Sequence, residues 1–313
     1  MKSAERVAAF NRAVWTHDAR TVAALIAKVD PNGADRWGHR PLSMAVQYGD
    51  AALVERLLER GAQVDEGRRH LTPLALAARR RAGNIVAVLR AAGAVPSIVS
   101  WTYLGERRRV EAELARQPEL ARLHDEAGTP LLLHASEAMR PEIVTLLLDR
   151  GASLADTDPG GETALHRIAD LRRAPQREAE TMAALLLDRG ADPNARNWDE
   201  VTPLHQGVRA RNLAVVKVLL ERGADPNARD KRGSTPLRRA VSGTGASHTA
   251  GTGALMAPLA RLLLEHGADP DAVDKRGVPV HASARAPEVR AVIEEFRPGK
   301  PPTRRKSPKK PRR

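Results

Sequence analysis

The sequence contains no cysteine, which excludes disulfides, thiolate metal sites and thiol nucleophiles together. Aromatics are nearly as scarce, at 3% of 313 residues. Its core must therefore draw on Ala, Leu and Val, a composition that favours closely packed helices over sheets. No run of about 18 uninterrupted apolar residues occurs, so the sequence offers no membrane-spanning helix. Lys2 and Glu5 interrupt the N-terminus before any apolar stretch forms, and a secretory signal peptide is not expected. Length alone allows about two domains. Acidic residues are in deficit, 38 against 51 Lys plus Arg, and the formal charge is +13.

That charge is unevenly spread. Residues 297–313 carry nine Lys or Arg, no acid and five Pro, which leaves about +4 on the rest of the chain. With no apolar content beyond proline, this segment has nothing to offset the entropy of ordering and reads as a disordered basic arm. Three roles for it stand open. It solubilises, it binds polyanions through Lys300, Arg304, Arg305, Lys306, Lys309, Lys310, Arg312 and Arg313 by counterion release, or, in a eukaryotic setting, it is a nuclear-import address.

Internal repetition dominates the remainder. Leu219-Leu220-Glu221-Arg222-Gly223-Ala224-Asp225-Pro226-Asn227 returns at Leu186 to Asn194 and at Leu263 to Asp271, with weaker copies at Leu57, Leu89 and Leu147. A second block lies upstream of each copy. It is clearest as Thr202-Pro203-Leu204-His205 and recurs at Thr163, Thr235, Thr129, Thr72 and Pro41. Thr before Pro is a helix N-cap followed by a first-turn proline, and the terminal Gly suits a left-handed C-cap. Apolar positions such as Val215, Val216 and Leu219 fall at helical spacing between them, so two short helices fit each repeat of about 33 residues. The Ala-Asp-Pro-Asn and Asp-x-x-Gly stretches that follow are turn chemistry.

Two blocks recurring in fixed order about six times resemble the ankyrin-repeat family. The resemblance runs from about Asp35 to Phe296 and implies an all-α solenoid of about seven to eight helix-turn-helix units with projecting hairpin loops. Residues 1–34 are expected to form an N-terminal helical capping unit and residues 274–296 a C-terminal cap. Residues 95–124 fit the pattern poorly and read as a degenerate repeat, and residues 243–253 are a Gly/Thr-rich loop insertion.

No catalytic or metal constellation emerges. His166, His205 and His281 occupy the same repeat position, where the resemblance implies hydrogen bonds between units, and no His-Glu-x-x-His spacing exists. The carboxylate pairs Glu178 with Glu180 and Glu294 with Glu295 fit solvated helix faces. The chain is read as a non-enzyme without cofactor: a monomeric scaffold, adaptor or inhibitor placed in the cytoplasm, whose protein partner presents an acidic surface. In the resemblance, partners meet the hairpin tips and the outward positions late in each first helix. Those places hold Arg36, Trp37, His39, Gln47, Tyr48, Arg68, Arg69, Arg79, Arg80, Trp198, Asp199, Arg209, Lys231, Arg232, Lys275 and Arg276. Glu126, Glu137, Glu162 and Asp170 fall on the same face, which still nets positive. The competing reading is a nucleic-acid-associated protein in which the tail binds a polyanion and the repeats recruit.

Overall fold

A computed structural model describes residues 3–65, 69–171, 175–242, 252–284 and 286–297. Their regular elements are helices, with no strand among the described residues and two isolated bridges, His124 to Pro130 and Val273 to Pro279. The expected all-α repeat architecture is present. The chain divides into two compact units between Ser153 and Leu154.

The first unit contains five helix pairs: α1 (Ser3–Trp15) with α2 (Ala19–Ile26), α3 (Pro41–Tyr48) with α4 (Ala51–Glu59), α5 (Pro73–Arg79) with α6 (Gly83–Ala91), α7 (Ile98–Leu104) with α8 (Arg107–Arg116), and α9 (Leu131–Glu137) with α10 (Pro141–Asp149). Their starts follow from the sequence. Thr72 caps α5 by accepting from Ala75 N, and Ser97 forms a reciprocal capping box with Ser100 on α7. Pro41 and Pro73 occupy first-turn positions where no amide donor is needed. Leu42, Leu57, Leu74, Ile85, Leu89, Ile143 and Leu147 are fully buried, each stabilising by roughly 1.5–3 kcal/mol. Ala45, Ala75 and Ala77, also without exposure, let neighbouring helices approach closely.

The second unit holds α11 (Ala164–Asp170) with α12 (Gln176–Asp188), α13 (Pro203–Ala210) with α14 (Leu213–Glu221), and α15 (Pro236–Ser242) with α16 (Thr252–Glu265). A 3-10 turn at His281–Ser283 and α17 (Pro287–Phe296) complete it. Helix α17 covers the preceding pair with Val289, Val292 and Ile293. Gly223, at φ 86°, ends α14 in the left-handed conformation that only glycine adopts freely.

Asparagines of the repeated Asp-Pro-Asn stitch successive pairs together. The Asn194 amide donates to Gly223 O at 3.0 Å and accepts from Asp225 N at 2.7 Å. Asn227 does the same with Gly267 O at 2.9 Å and Asp269 N at 2.8 Å, and Asn32 with Gly61 O and Gln63 N. Where the sequence alone reads turn chemistry, the side chain bridges two repeats.

Candidate partner-binding face

Hairpin loops precede most first helices, and one Asp organises each except the loop before α13, where Asn197 Oδ1 accepts from Asp199 N and Val201 N. Asp125, Asp158, Asp230 and Asp274 turn one carboxylate oxygen onto two backbone amides of their own loop. In three of these loops the other oxygen takes a donor nine residues later: His134 Nε2 at 2.9 Å, Arg167 at 2.5 Å and Arg239 at 2.8 Å. Burial alone would raise the carboxyls of Asp125 and Asp230, but these hydrogen bonds outweigh it and hold both below the usual carboxylate range. The loops are therefore rigid platforms for the side chains at their tips.

In the first unit, the expected face is engaged internally in part, through His39, Tyr48 and Arg79. Arg36 lies 4.0 Å over the Trp37 ring, and Trp37 remains 59% exposed. His39 is exposed beside buried Asp35, and Gln47 is exposed. Tyr48 is half-buried, edge-on to His17 at 5.9 Å, and lines a hollow of about 300 Å³ among α1, α2 and α4. It is therefore less available as an aromatic anchor than its sequence position implies. Arg68 lies outside the described residues.

Between Gly93 and Ser97 the chain runs straight into α7 without a hairpin, and the loops on either side make contact across the gap. Glu126 Oε1 accepts from Arg69 N at 3.1 Å and His70 N at 2.9 Å, while Oε2 accepts from Leu71 N at 3.0 Å. Burial pushes the Glu126 carboxyl up, yet the backbone amides bring it below its ordinary value. Ser97 Oγ donates to His70 O at 2.6 Å. Arg79 reaches Glu137 at 2.9 Å, so it is an intramolecular cation. Glu137 in turn accepts from the Tyr103 hydroxyl at 3.1 Å, and that hydroxyl lies 2.8 Å from His134 Nδ1. Arg80 is exposed, with no ion pair among the described residues.

Asp125, His134 and Tyr103 thus form a relay of the kind catalysis employs. His134 is 1% exposed and Tyr103 5%, so no substrate reaches them. The chain of bonds fixes α7 against α9 instead. His166 and His205 are also structural. Each takes its own N-cap threonine on Nδ1 and reaches the next repeat through Nε2, to Val201 O and Ser234 O at 2.9 Å. Burial pushes both imidazoles down, His205 to about 4, despite the favourable carbonyl contact. His281 departs from this pattern. It heads the 3-10 turn with Nδ1 2.9 Å from Asp271 Oδ1.

The second unit gathers the remaining candidates. Trp198 is 65% exposed, and its indole donates to Pro159 O at 2.7 Å. It lies against Gly161, where φ is 76° and a Cβ would come within 2.9 Å of Trp198 N. Lys231 N donates to Asp199 O at 3.0 Å, and Lys275 packs against Gly233, joining successive tips. Asp199, Arg209, Lys231, Arg232, Lys275 and Arg276 all border one open groove of about 1010 Å³. Arg209 is paired with Asp170 at 2.9 Å. Lys231, Arg232, Lys275 and Arg276 are exposed, and no ion pair holds them among the described residues. The tail residues Lys300, Arg304, Arg305, Lys306, Lys309, Lys310, Arg312 and Arg313, and residues 243–251 of the insertion at 243–253, lie outside those residues; Thr252 and Gly253, expected in the loop, begin α16.

A family model described as ankyrin repeats matches three times, over residues 10–99, 131–230 and 171–274. The chain belongs to the ankyrin-repeat family. Mouse NF-kappa-B inhibitor delta is 29% identical over 183 residues, 56% of this ankyrin-repeat chain and 54% of that protein. An intracellular phospholipase A2 of Caenorhabditis elegans is 27% identical over 198 residues, 58% of this chain and 18% of that protein. The chain thus spans about half the length of the first relative and less than a fifth of the second. Among solved structures, the ankyrin repeat domain of Bcl-3 is 27% identical with a TM-score of 0.48, covering 82% of this chain and 99% of that one. No helix among the described residues is long and apolar enough to cross a membrane.

Proposed function

We propose that this ankyrin-repeat chain is a non-enzymatic protein-interaction module that binds a partner with an acidic surface through its hairpin tips and first-helix ends. One observation carries the reading. The exposed Lys231, Arg232, Lys275 and Arg276 stand on rigid, mutually packed hairpin tips without an internal counter-ion, whereas most acids of the face are committed inside the chain. Preorganised cations of this kind give orientation and fast encounter with an acidic partner. The name of the mouse relative, an inhibitor, supports a role in which binding itself is the activity. The inaccessibility of the Asp125–His134–Tyr103 relay removes the best catalytic candidate. The module acts as a monomer in the cytoplasm.

Affinity capture from native lysate, with and without nuclease, tests this with the full chain and with residues 1–296. A protein retained by both forms regardless of nuclease supports the module. Retention that vanishes with nuclease or with the tail makes the basic arm the determinant and the protein nucleic-acid-associated.

A further inference from the structure

Within the second unit the groove bordered by Asp199 and by the tips at 231–232 and 275–276 is more than a charged surface. Helices α13 and α15 supply its inner wall, and eight Lys or Arg and four Asp or Glu line it. Three of the four carboxylates are already satisfied: Asp230 by Arg239, Asp274 by Arg238 at 2.8 Å, and Glu162 by the Gln206 amide at 2.8 Å. Arg211, Lys231, Arg232, Lys275 and Arg276 have no ion pair among the described residues, so the groove has a surplus of cations.

A second observation is independent of charge. Gln206 is only 4% exposed, and Glu162, an acceptor, fixes which end of its amide is the nitrogen. Its Oε1 is buried without a donor, in a residue that lines the groove. A buried acceptor left unpaired is costly, and a ligand that brings a donor removes that cost. Arg209 Nε and Asp170 Oδ1, paired to each other's side chains through other atoms, are likewise without partners at the neighbouring position.

The chemistry of the occupant follows. It carries carboxylates for the two Lys-Arg tips and an N–H for Gln206. An extended acidic polypeptide supplies both, because its backbone amides are free, whereas a helix has spent them internally. Single-stranded nucleic acid fits worse. The lining contains no aromatic residue on which bases stack, and its apolar members are Val201 and Met256. We infer that this groove binds an extended acidic peptide segment, its carboxylates on Lys231, Arg232, Lys275 and Arg276 and a backbone amide on Gln206 Oε1. This rests on the interaction-module reading and names the site and form of the partner.

The test uses the full chain and fluorescein-labelled decaglutamate, read by anisotropy at fixed salt. Replacing Lys231, Arg232, Lys275 and Arg276 together by Glu is expected to weaken binding at least about tenfold. The same charge change on the exposed face of α8, Arg107, Arg108, Arg109 and Arg116→Glu, is expected to matter far less. Gln206→Leu leaves charge unchanged and is expected to lose about fivefold on decaglutamate. It is expected to lose nothing on polyacrylate, which has the carboxylates but no backbone amide. Melting curves identify any variant that has lost its fold, and Gln206→Ala then replaces Gln206→Leu. Equal loss in both charge variants, indifference to Gln206, or preferential binding of a labelled oligothymidylate each overturns the assignment. If the unsubstituted chain binds no decaglutamate, or binds it equally well after the four groove substitutions, while lysate capture persists, the groove assignment falls and the interaction-module reading stands.

Discussion

Replacing Glu126 by Ala removes the carboxylate that spans the missing hairpin. In the native structure its two oxygens accept from three successive amides, Arg69, His70 and Leu71. Hydrogen bonds to a charged group contribute about 1.5–3 kcal/mol when sheltered, and much less where water can replace them. The Arg69 and His70 bonds are exposed, so about 0.5 kcal/mol each is reasonable; Leu71 is buried and its amide is worth about 1–1.5 kcal/mol. The sum is about 2 kcal/mol, equivalent to about 4–8 °C in the melting temperature of a unit this size. The effect is also local. Hydrogen exchange at residues 69–71 should accelerate strongly while amides within α3 and α4 remain protected. Because the Glu126 carboxyl is depressed in the folded state, its contribution is present above the ordinary carboxylate range and lost as pH falls through the depressed value. Unchanged exchange at residues 69–71 in the variant, or equal loss of protection throughout the unit, would refute the bridge.

The buried histidines give stability a pH dependence. His205 protonates near 6.5 when unfolded and near 4 when folded, so its contribution is complete above about 6.5 and declines as pH falls towards 4, by about 3 kcal/mol. His166 acts in the same direction. Urea unfolding at a series of pH values should show that slope, flattened in His205→Gln, and a flat wild-type profile would contradict it. Tyr103→Phe leaves His134 Nδ1 without its partner in a buried place and should cost about 1–3 kcal/mol in the same assay; a neutral result would mean that water fills the site. Gly161→Ala puts a side chain at φ 76° and against Trp198 N, so about 2 kcal/mol should be lost together with the fluorescence signature of the packed indole. Asn227→Ala, which breaks two bonds between repeats, should cost about 1–2 kcal/mol, and additivity with Asn194→Ala would be absent if the asparagines act cooperatively.

How much of this was legible depends on whether a contact follows the repeat period. Thr72, Thr202 and the first-turn prolines announce their helices directly, because capping is local. The structural role of His166 and His205 is equally plain, since both recur in one position. The asparagine bridges carried a signal that turn chemistry masked: each Asn precedes the next Gly by 29 residues in two of the three cases. The Glu126 and Arg79 contacts carried none. Their partners lie 55 to 58 residues away, because the α7 and α8 pair has no hairpin and the flanking loops close over it. Periodicity predicts contacts between adjacent repeats, and skipping one depends on how far a degenerate unit recedes. For the same reason Arg79 looked available from its position alone, while the cations at 231, 232, 275 and 276, on tips with no degenerate unit between them, are exposed.

The most direct test of partner capture through the second unit is photocrosslinking in native lysate. A benzophenone side chain at position 232 or 276 should join the captured partner covalently, and one at position 108, exposed on α8 of the first unit, should not. Crosslinking from position 108 with none from 232 or 276 would contradict the account and move the binding face to the other unit.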